Sequence, residues 1–197
     1  MKVSARRNIE NRLHRYGFVA VAGVDEVGRG CLAGPVMAGA VILHPDRRID
    51  GLADSKACTL AQRERLHDEI CKKAVAWAVV AVEPDEIDRI NIHQATLQAM
   101  RRAVLTLAPL PDAVLVDAFR IPSLPMAQRG VIGGDRRSSA IAAASIMVLT
   151  DIRAPPPLNT LRRWRGLATH RCIAGRSGRP ACLIPLTERP YSAAVRS

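Results

Sequence analysis

Residues 23–35 hold the densest chemistry in the chain: Gly23-Val24-Asp25-Glu26-Val27-Gly28-Arg29-Gly30-Cys31-Leu32-Ala33-Gly34-Pro35. Two readings compete there. Gly28, Gly30 and Ala33 fit the G-x-G-x-x-A pattern of a dinucleotide-binding turn. That reading requires a helix to start at the glycines, so that its N-terminus meets a pyrophosphate. Pro35 and the β-branched run after it predict a strand instead, and Asp25 and Glu26 would set negative charge beside an anion. The second reading makes the carboxylates the working groups. Adjacent strand residues face opposite sides, so Asp25 and Glu26 share a pocket only if the strand ends there and the backbone turns. A carboxylate plus nearby carbonyls then suits a hard cation such as magnesium or manganese. Arg29, between two glycines, lies where backbone amides can approach a sugar–phosphate chain. On spacing alone, an ordinary acidic turn remains open.

The elements that must position this stretch follow from periodicity. Residues 4 to 15 place Ile9 and Leu13 at helical spacing. Phe18 to Asp25 reads as a buried strand, Val36 to Leu43 as a second and Ala76 to Val82 as a third. Thr59 to Lys73 is helical, capped by Thr59, with Leu60, Leu66, Ile70 and Cys71 on one side. Asn91 to Leu107 is a helix with Ala95, Met100, Ala103, Val104 and Leu107 near one face. Val114 to Val116 and Val131 to Ile132 are short strands, and Ser138 to Leu149 is an alanine-rich buried helix. Strands come first, then alternate with helices, which favours a mixed sheet with helices packed on it.

The 197 residues suit one domain with an appendage. The apolar share of 48% excludes wholesale disorder, and no apolar run reaches the ~18–20 residues of a membrane span. No signal peptide is visible, and five cysteines without a C-x-x-C pair read as reduced cytoplasmic thiols. The formal charge of +11 invites a polyanionic partner, but it is unevenly spread. Residues 1–151 carry a net +3 and residues 152–197 a net +8, together with six of the 13 prolines. No convincing core-forming element stands out in that last segment apart from Ala181 to Pro185, and a flexible basic tail is its plainest reading.

The stretch GVDEVGRGCLAGPVMAGAVIL closely resembles the opening signature of ribonuclease HII, D-E-x-G-R-G followed by a Gly-Pro strand. Further matches follow in order: Gly51 to Lys56 (GLADSK), Glu86 to Asp88 with Asn91-Ile92, Ala95-Thr96, Ala99-Met100, the strand ending at Asp117, Gly134-Asp135, and Ala140 to Ile146. The resemblance covers about residues 5–147. It implies an α/β, ribonuclease H-like fold, a mixed five-stranded sheet flanked by helices, with 1–151 as the catalytic domain. It implies an endonuclease that hydrolyses the RNA strand of RNA–DNA hybrids and cuts at ribonucleotides embedded in duplex DNA, leaving a 5′-phosphate and a 3′-hydroxyl. By the same carry-over Asp25, Glu26, Asp117 and Asp135 are the catalytic, metal-binding carboxylates for two divalent ions, Mn2+ or Mg2+. Gly28, Arg29 and Gly30 contact the ribonucleotide 2′-hydroxyl, and Ser55 and Lys56 hold backbone phosphates. The expected protein is a monomer with no membrane partner.

The chain also departs from that family. Ala53 stands where it has asparagine, Cys31 where it has proline and Gly133 where it has lysine. After Met147 the match stops: Val148-Leu149-Thr150-Asp151 leads into Ile152-Arg153-Ala154 and three prolines. Thr169-His170 lacks the Gly-Tyr that follows in the family, so the tyrosine that stacks on the sugar next to the cut has no equivalent, Tyr191 being misplaced. Residues 152–197 are therefore read as a divergent or frame-altered tail. Its loss of family features leaves a second expectation open, a defective remnant that binds hybrids without cleaving.

Overall fold

The computed structural model describes residues 7–31, 34–52, 58–153 and 172–176. Ser55, Lys56 and the Ala181 to Pro185 segment lie outside the described residues. Along the chain run α1 (Asn8–Arg15), β1 (Val21–Val27), β2 (Val36–Ile42), α2 (Leu60–Lys73), β3 (Ala76–Val82) and α3 (Pro84–Ile90). They are followed by α4 (Ile92–Thr106), β4 (Ala113–Asp117), β5 (Ala127–Val131), α5 (Gly134–Arg137), α6 (Ser139–Arg153) and β6 (Cys172–Arg176). The sheet order is β5-β4-β1-β2-β3-β6. Strands β1, β2, β3 and β6 pair antiparallel in turn, while β4 runs parallel to both β1 and β5. The mixed five-stranded sheet expected from the sequence is present as β1–β5, with β6 as a sixth strand beside β3.

Helices cover both faces. Ala22 and Val24 of β1 join Ala95, Ala99, Met100, Ala103 and Val104 of α4 in one core. On the other face α6 meets α2 through Leu66, Ile70, Ala140, Ala144 and Met147, and meets α1 through Ile141, Ile9 and Leu13. The alanine-rich sequence of α6 has a packing consequence. A Cβ on Gly23 would collide with the backbone of Ala140 and Ile141, and one on Gly39 would lie 2.8 Å from the Ala144 carbonyl oxygen. Two bare sheet positions under small helix residues let α6 lie closer to β1 and β2 than ordinary side chains permit.

The start of α6 is tied to α1 by a buried carboxylate. Glu10, 2% exposed, accepts from the Ser138 hydroxyl at 2.7 Å and from the Ala140 N–H at 2.8 Å. The Ile141 N–H donates in turn to Ser138 Oγ at 3.2 Å. Two N–H groups that a helix start leaves unpaired are thus satisfied, one by a side chain 130 residues away in the chain.

Several differences from the sequence expectations have physical reasons. Strand β1 runs on through Glu26 to Val27 instead of ending at Asp25, because β2 pairs with it that far, Val27 opposite Met37. The edge strand β5 lies at Ala127–Val131, four residues upstream of the expected start, and most of its side chains are exposed or half-buried. It is held by backbone pairing and has no apolar run to announce it. Helix α3 is polar, with no buried residue, and begins with Pro84 at a position that lacks a hydrogen-bonded N–H anyway. Leu60 is 57% exposed, and buried Arg63 takes its place on the inner side of α2. Thr59 does cap α2, in a reciprocal capping box with Gln62. Strand β6 falls in the basic segment where no core element was expected; an edge strand needs only backbone partners.

Gly23→Ala should lower stability by about 1–3 kcal/mol or prevent folding, since α6 must lift from β1. Glu10→Ala should cost about 2 kcal/mol by leaving the Ser138 and Ala140 donors unpaired. Urea unfolding followed by circular dichroism measures both.

Candidate active site

The candidate carboxylates gather where the parallel strands β1 and β4 end side by side. The register pairs Val24 with Val116, so Asp25 and Asp117 are the next residues along their strands. Asp25 has the same strand parity as Val21 and Gly23, which face α6, and it is 8% exposed. Ser145 of α6 hydrogen-bonds its side chain, and the Glu26 N–H donates to its Oδ1 at 2.9 Å. Asp117 is held by the Gly134 N–H, 2.8 Å from its Oδ1. Asp135 follows Gly134 in the first turn of α5 and is half-buried. Asp135 is thus the residue next to the backbone group that anchors Asp117.

Electrostatics bind the group together. Burial, followed by the charges of Glu26 and Asp117, pushes Asp25 up to about 7, against the opposing Ser145 hydrogen bond. Glu26 is also raised, by burial and by Asp117, with Arg29 opposing. The Arg29 guanidinium lies 3.6 Å from Glu26 Oε1. Its turn is shaped by Gly28, which has φ +104° and whose carbonyl accepts from the Cys31 N–H at 3.2 Å. A side chain at Gly28 would also press on the Pro35 carbonyl. Gly30, by contrast, has open space around it.

Because β1 stays regular through both acids, Glu26 has the opposite parity to Asp25. Among the described residues no group of three or more His, Cys, Asp and Glu side chains is arranged to hold a metal ion. The donor chemistry nevertheless suits a hard divalent cation. Three mutually repelling carboxylates, one of them deeply buried, present oxygen ligands alone, and a cation would relieve their repulsion. The nucleotide-cofactor reading fails on the fold, since the chain after Gly30 enters strand β2.

Three residues that the sequence did not single out also belong to this corner. Ser145 reaches Asp25 from α6; its only signal was a polar residue within an alanine run. Phe119, two residues after Asp117, lies under Arg29, the guanidinium carbon 5.0 Å from the ring centroid. His93, at the start of α4, meets the same ring edge-on, 6.1 Å between centroids. Nothing in the spacing of Phe119 and His93 marked them.

An acidic corner at the ends of two adjacent parallel strands, on a mixed sheet flanked by helices, places the chain in the ribonuclease H-like class. A solved structure of ribonuclease H2 from Pyrococcus horikoshii OT3 matches with a TM-score of 0.61 at 25% identity, over 75% of this chain and 78% of that one. Bst-RNase HIII in complex with Mn2+ shares the fold at 20% identity and a TM-score of 0.57, over 79% of this chain and 59% of that one. The family model for ribonuclease HII matches residues 22–151. A ribonuclease HII from Caldicellulosiruptor bescii is 42% identical over 183 residues, 88% of this chain and 89% of its own length, so that alignment runs past residue 151. The chain belongs to the ribonuclease HII family. It is an enzyme of the ribonuclease H type, acting on RNA–DNA hybrids.

The Asp25 shift carries a stability consequence. Its carboxyl is raised from the usual range near 4 to about 7 in the folded protein. Below about pH 4 both states are protonated and the site costs nothing. Between about 4 and 7 the unfolded chain ionises first, so stability falls as pH rises, by up to about 1.4 kcal/mol per pH unit. In chelator, urea unfolding should show that decline, and Asp25→Asn should flatten it and stabilise the protein at pH 8.

Proposed function

We propose that this ribonuclease H cleaves endonucleolytically both within the RNA strand of RNA–DNA hybrids and at single ribonucleotides embedded in duplex DNA. The products are a 5′-phosphate and a 3′-hydroxyl. Asp25, Glu26, Asp117 and Asp135 would hold two divalent ions, Mn2+ or Mg2+. When bound, such ions supply positive charge at the attacking water and the leaving 3′ oxygen. The observation that carries this reading is the mutual repulsion of Asp25, Glu26 and Asp117 with Arg29 as the nearby countercharge.

The rest of the site has separate tasks. Ser145 and the Gly134 N–H fix Asp25 and Asp117 in orientation, so their oxygens need little rearrangement when charge arrives. The Gly28-Arg29-Gly30 turn addresses the 2′-hydroxyl, the group that separates RNA from DNA. Ser55 and Lys56, outside the described residues, are assigned to backbone phosphates. No helix among the described residues is long and apolar enough to cross a membrane. A cytoplasmic, monomeric enzyme completes the reading, with 1–151 as the catalytic domain and 152–197 as a divergent or frame-altered segment.

The composition break at residue 152 favours one competing reading, a remnant that binds hybrids without cutting them. A duplex carrying one ribonucleotide separates the two when cleavage and binding are measured side by side. The expected result is cleavage with Mn2+ or Mg2+ and none in chelator. Asp25→Asn or Asp117→Asn should lower the rate at least about a hundredfold while binding persists. Equal cleavage by wild type in chelator would defeat the two-ion assignment. Binding without cleavage under every metal condition would favour the remnant.

A further inference from the structure

We propose that Phe119 is the positioning residue for Arg29, holding its guanidinium over the ring at the mouth of the acidic corner so that the donors not turned to Glu26 serve substrate. This rests on the reading of Arg29 as a substrate contact, and it adds the residue through which that contact is built.

Arg29 sits between two glycines, which have no side chains to pack against it. It is flanked by Gly28 in the left-handed region and by Gly30 in open space. Its ion pair with Glu26 is long, at 3.6 Å, and about a third of its side chain is exposed. A long pair with one partly exposed partner contributes little to order. The Phe119 ring is the other restraint, 5.0 Å from the guanidinium carbon to the centroid. Contact with the ring consumes no N–H donor, so only Nη1, which faces Glu26, is committed by the interactions described. A phosphate or a hydroxyl is recognised by the remaining donors.

The chain spends conformational strain to put the ring there. Ala118 has φ +60°, a region that residues with a Cβ rarely adopt. Its N–H donates to the Val131 carbonyl at 3.2 Å, and the Phe119 N–H donates to the Asp117 carbonyl at 2.7 Å. The backbone therefore turns sharply just after Asp117 and sends Phe119 back over the Arg29 turn. His93 meets the ring edge-on, with the ring planes at 75°. Phe119 itself is 37% exposed, too open to serve as a core residue. Strain at Ala118, next to an exposed aromatic at the candidate site, is the pattern expected when placement matters more than burial.

Affinity for an RNA–DNA hybrid, measured by fluorescence anisotropy in chelator so that nothing is cut, tests the assignment. KM and kcat with Mn2+ provide the second readout. Phe119→Leu, which keeps the bulk and removes the aromatic face, should weaken binding and raise KM by about two- to fivefold with kcat little changed. Phe119→Trp should restore wild-type values. In an Arg29→Ala background, Phe119→Leu should have no further effect, because its action runs through Arg29. Wild-type affinity and KM in Phe119→Leu would overturn the assignment, as would a loss of equal size in the Arg29→Ala background. A loss accompanied by an equal fall in thermal midpoint in both the Leu and Trp variants would mark Phe119 as structural only and overturn it too. Wild type that neither binds nor cleaves the hybrid would instead overturn the substrate reading, and this assignment with it.

Discussion

The close seating of α6 on β1 is the contact from which the rest of the site follows. Gly23 leaves nothing between the strand and the helix backbone at Ala140 and Ile141. That short separation lets Ser145, a small side chain, reach a carboxylate on the strand. The same helix is anchored at its start by Glu10 and Ser138, so its position along β1 is set as well as its distance. A buried hydrogen-bonded carboxylate at its start and alanines through its first turns fix how α6 sits on β1. Asp25 is placed by it.

Placing acids this way works against stability. Asp25 is desolvated beside two other carboxylates, and Arg29 offers only a long ion pair as compensation. Ordinary folding physics disfavours such an arrangement. The core on both faces of the sheet supports it, with Met100 and Val104 below and Ile141 and Met147 above all fully buried. The opposite parity of Asp25 and Glu26 is a further constraint. A regular strand turns the two side chains to opposite faces, yet the charge of Asp117 acts on both.

Much of the fold was legible in local patterns. The β-branched runs of β1, β2 and β3 and the apolar face of α4 have strong periodic signals and sit where those signals put them. Asp25, Glu26, Asp117 and Asp135 stood out as candidates through the motifs around them. The elements misplaced or missed are those whose order comes from outside themselves. Strand β5, expected four residues too late, and strand β6, not expected, are held by a neighbour's backbone, and α3 has no fully buried residue, only Ile87 and Ile90 partly packed on the core. Periodicity cannot register a pairing partner that lies elsewhere in the chain.

The charge of the whole chain is a poor guide to the site. The net +8 of residues 152–197 says little about the site, which is built by residues whose chain is nearly balanced. What the sequence determined by itself is the inventory: which residues are acids, where the strands carrying Asp25 and Asp117 run, and which family's motifs surround them. Local residue type and spacing encode those things. Tertiary structure alone decided that β4 lies beside β1, that Ser145 touches Asp25, that Glu10 caps a helix 130 residues away, and that Phe119 lies under Arg29. Each of these depends on distance in space between segments remote in sequence, and no local pattern records such a distance.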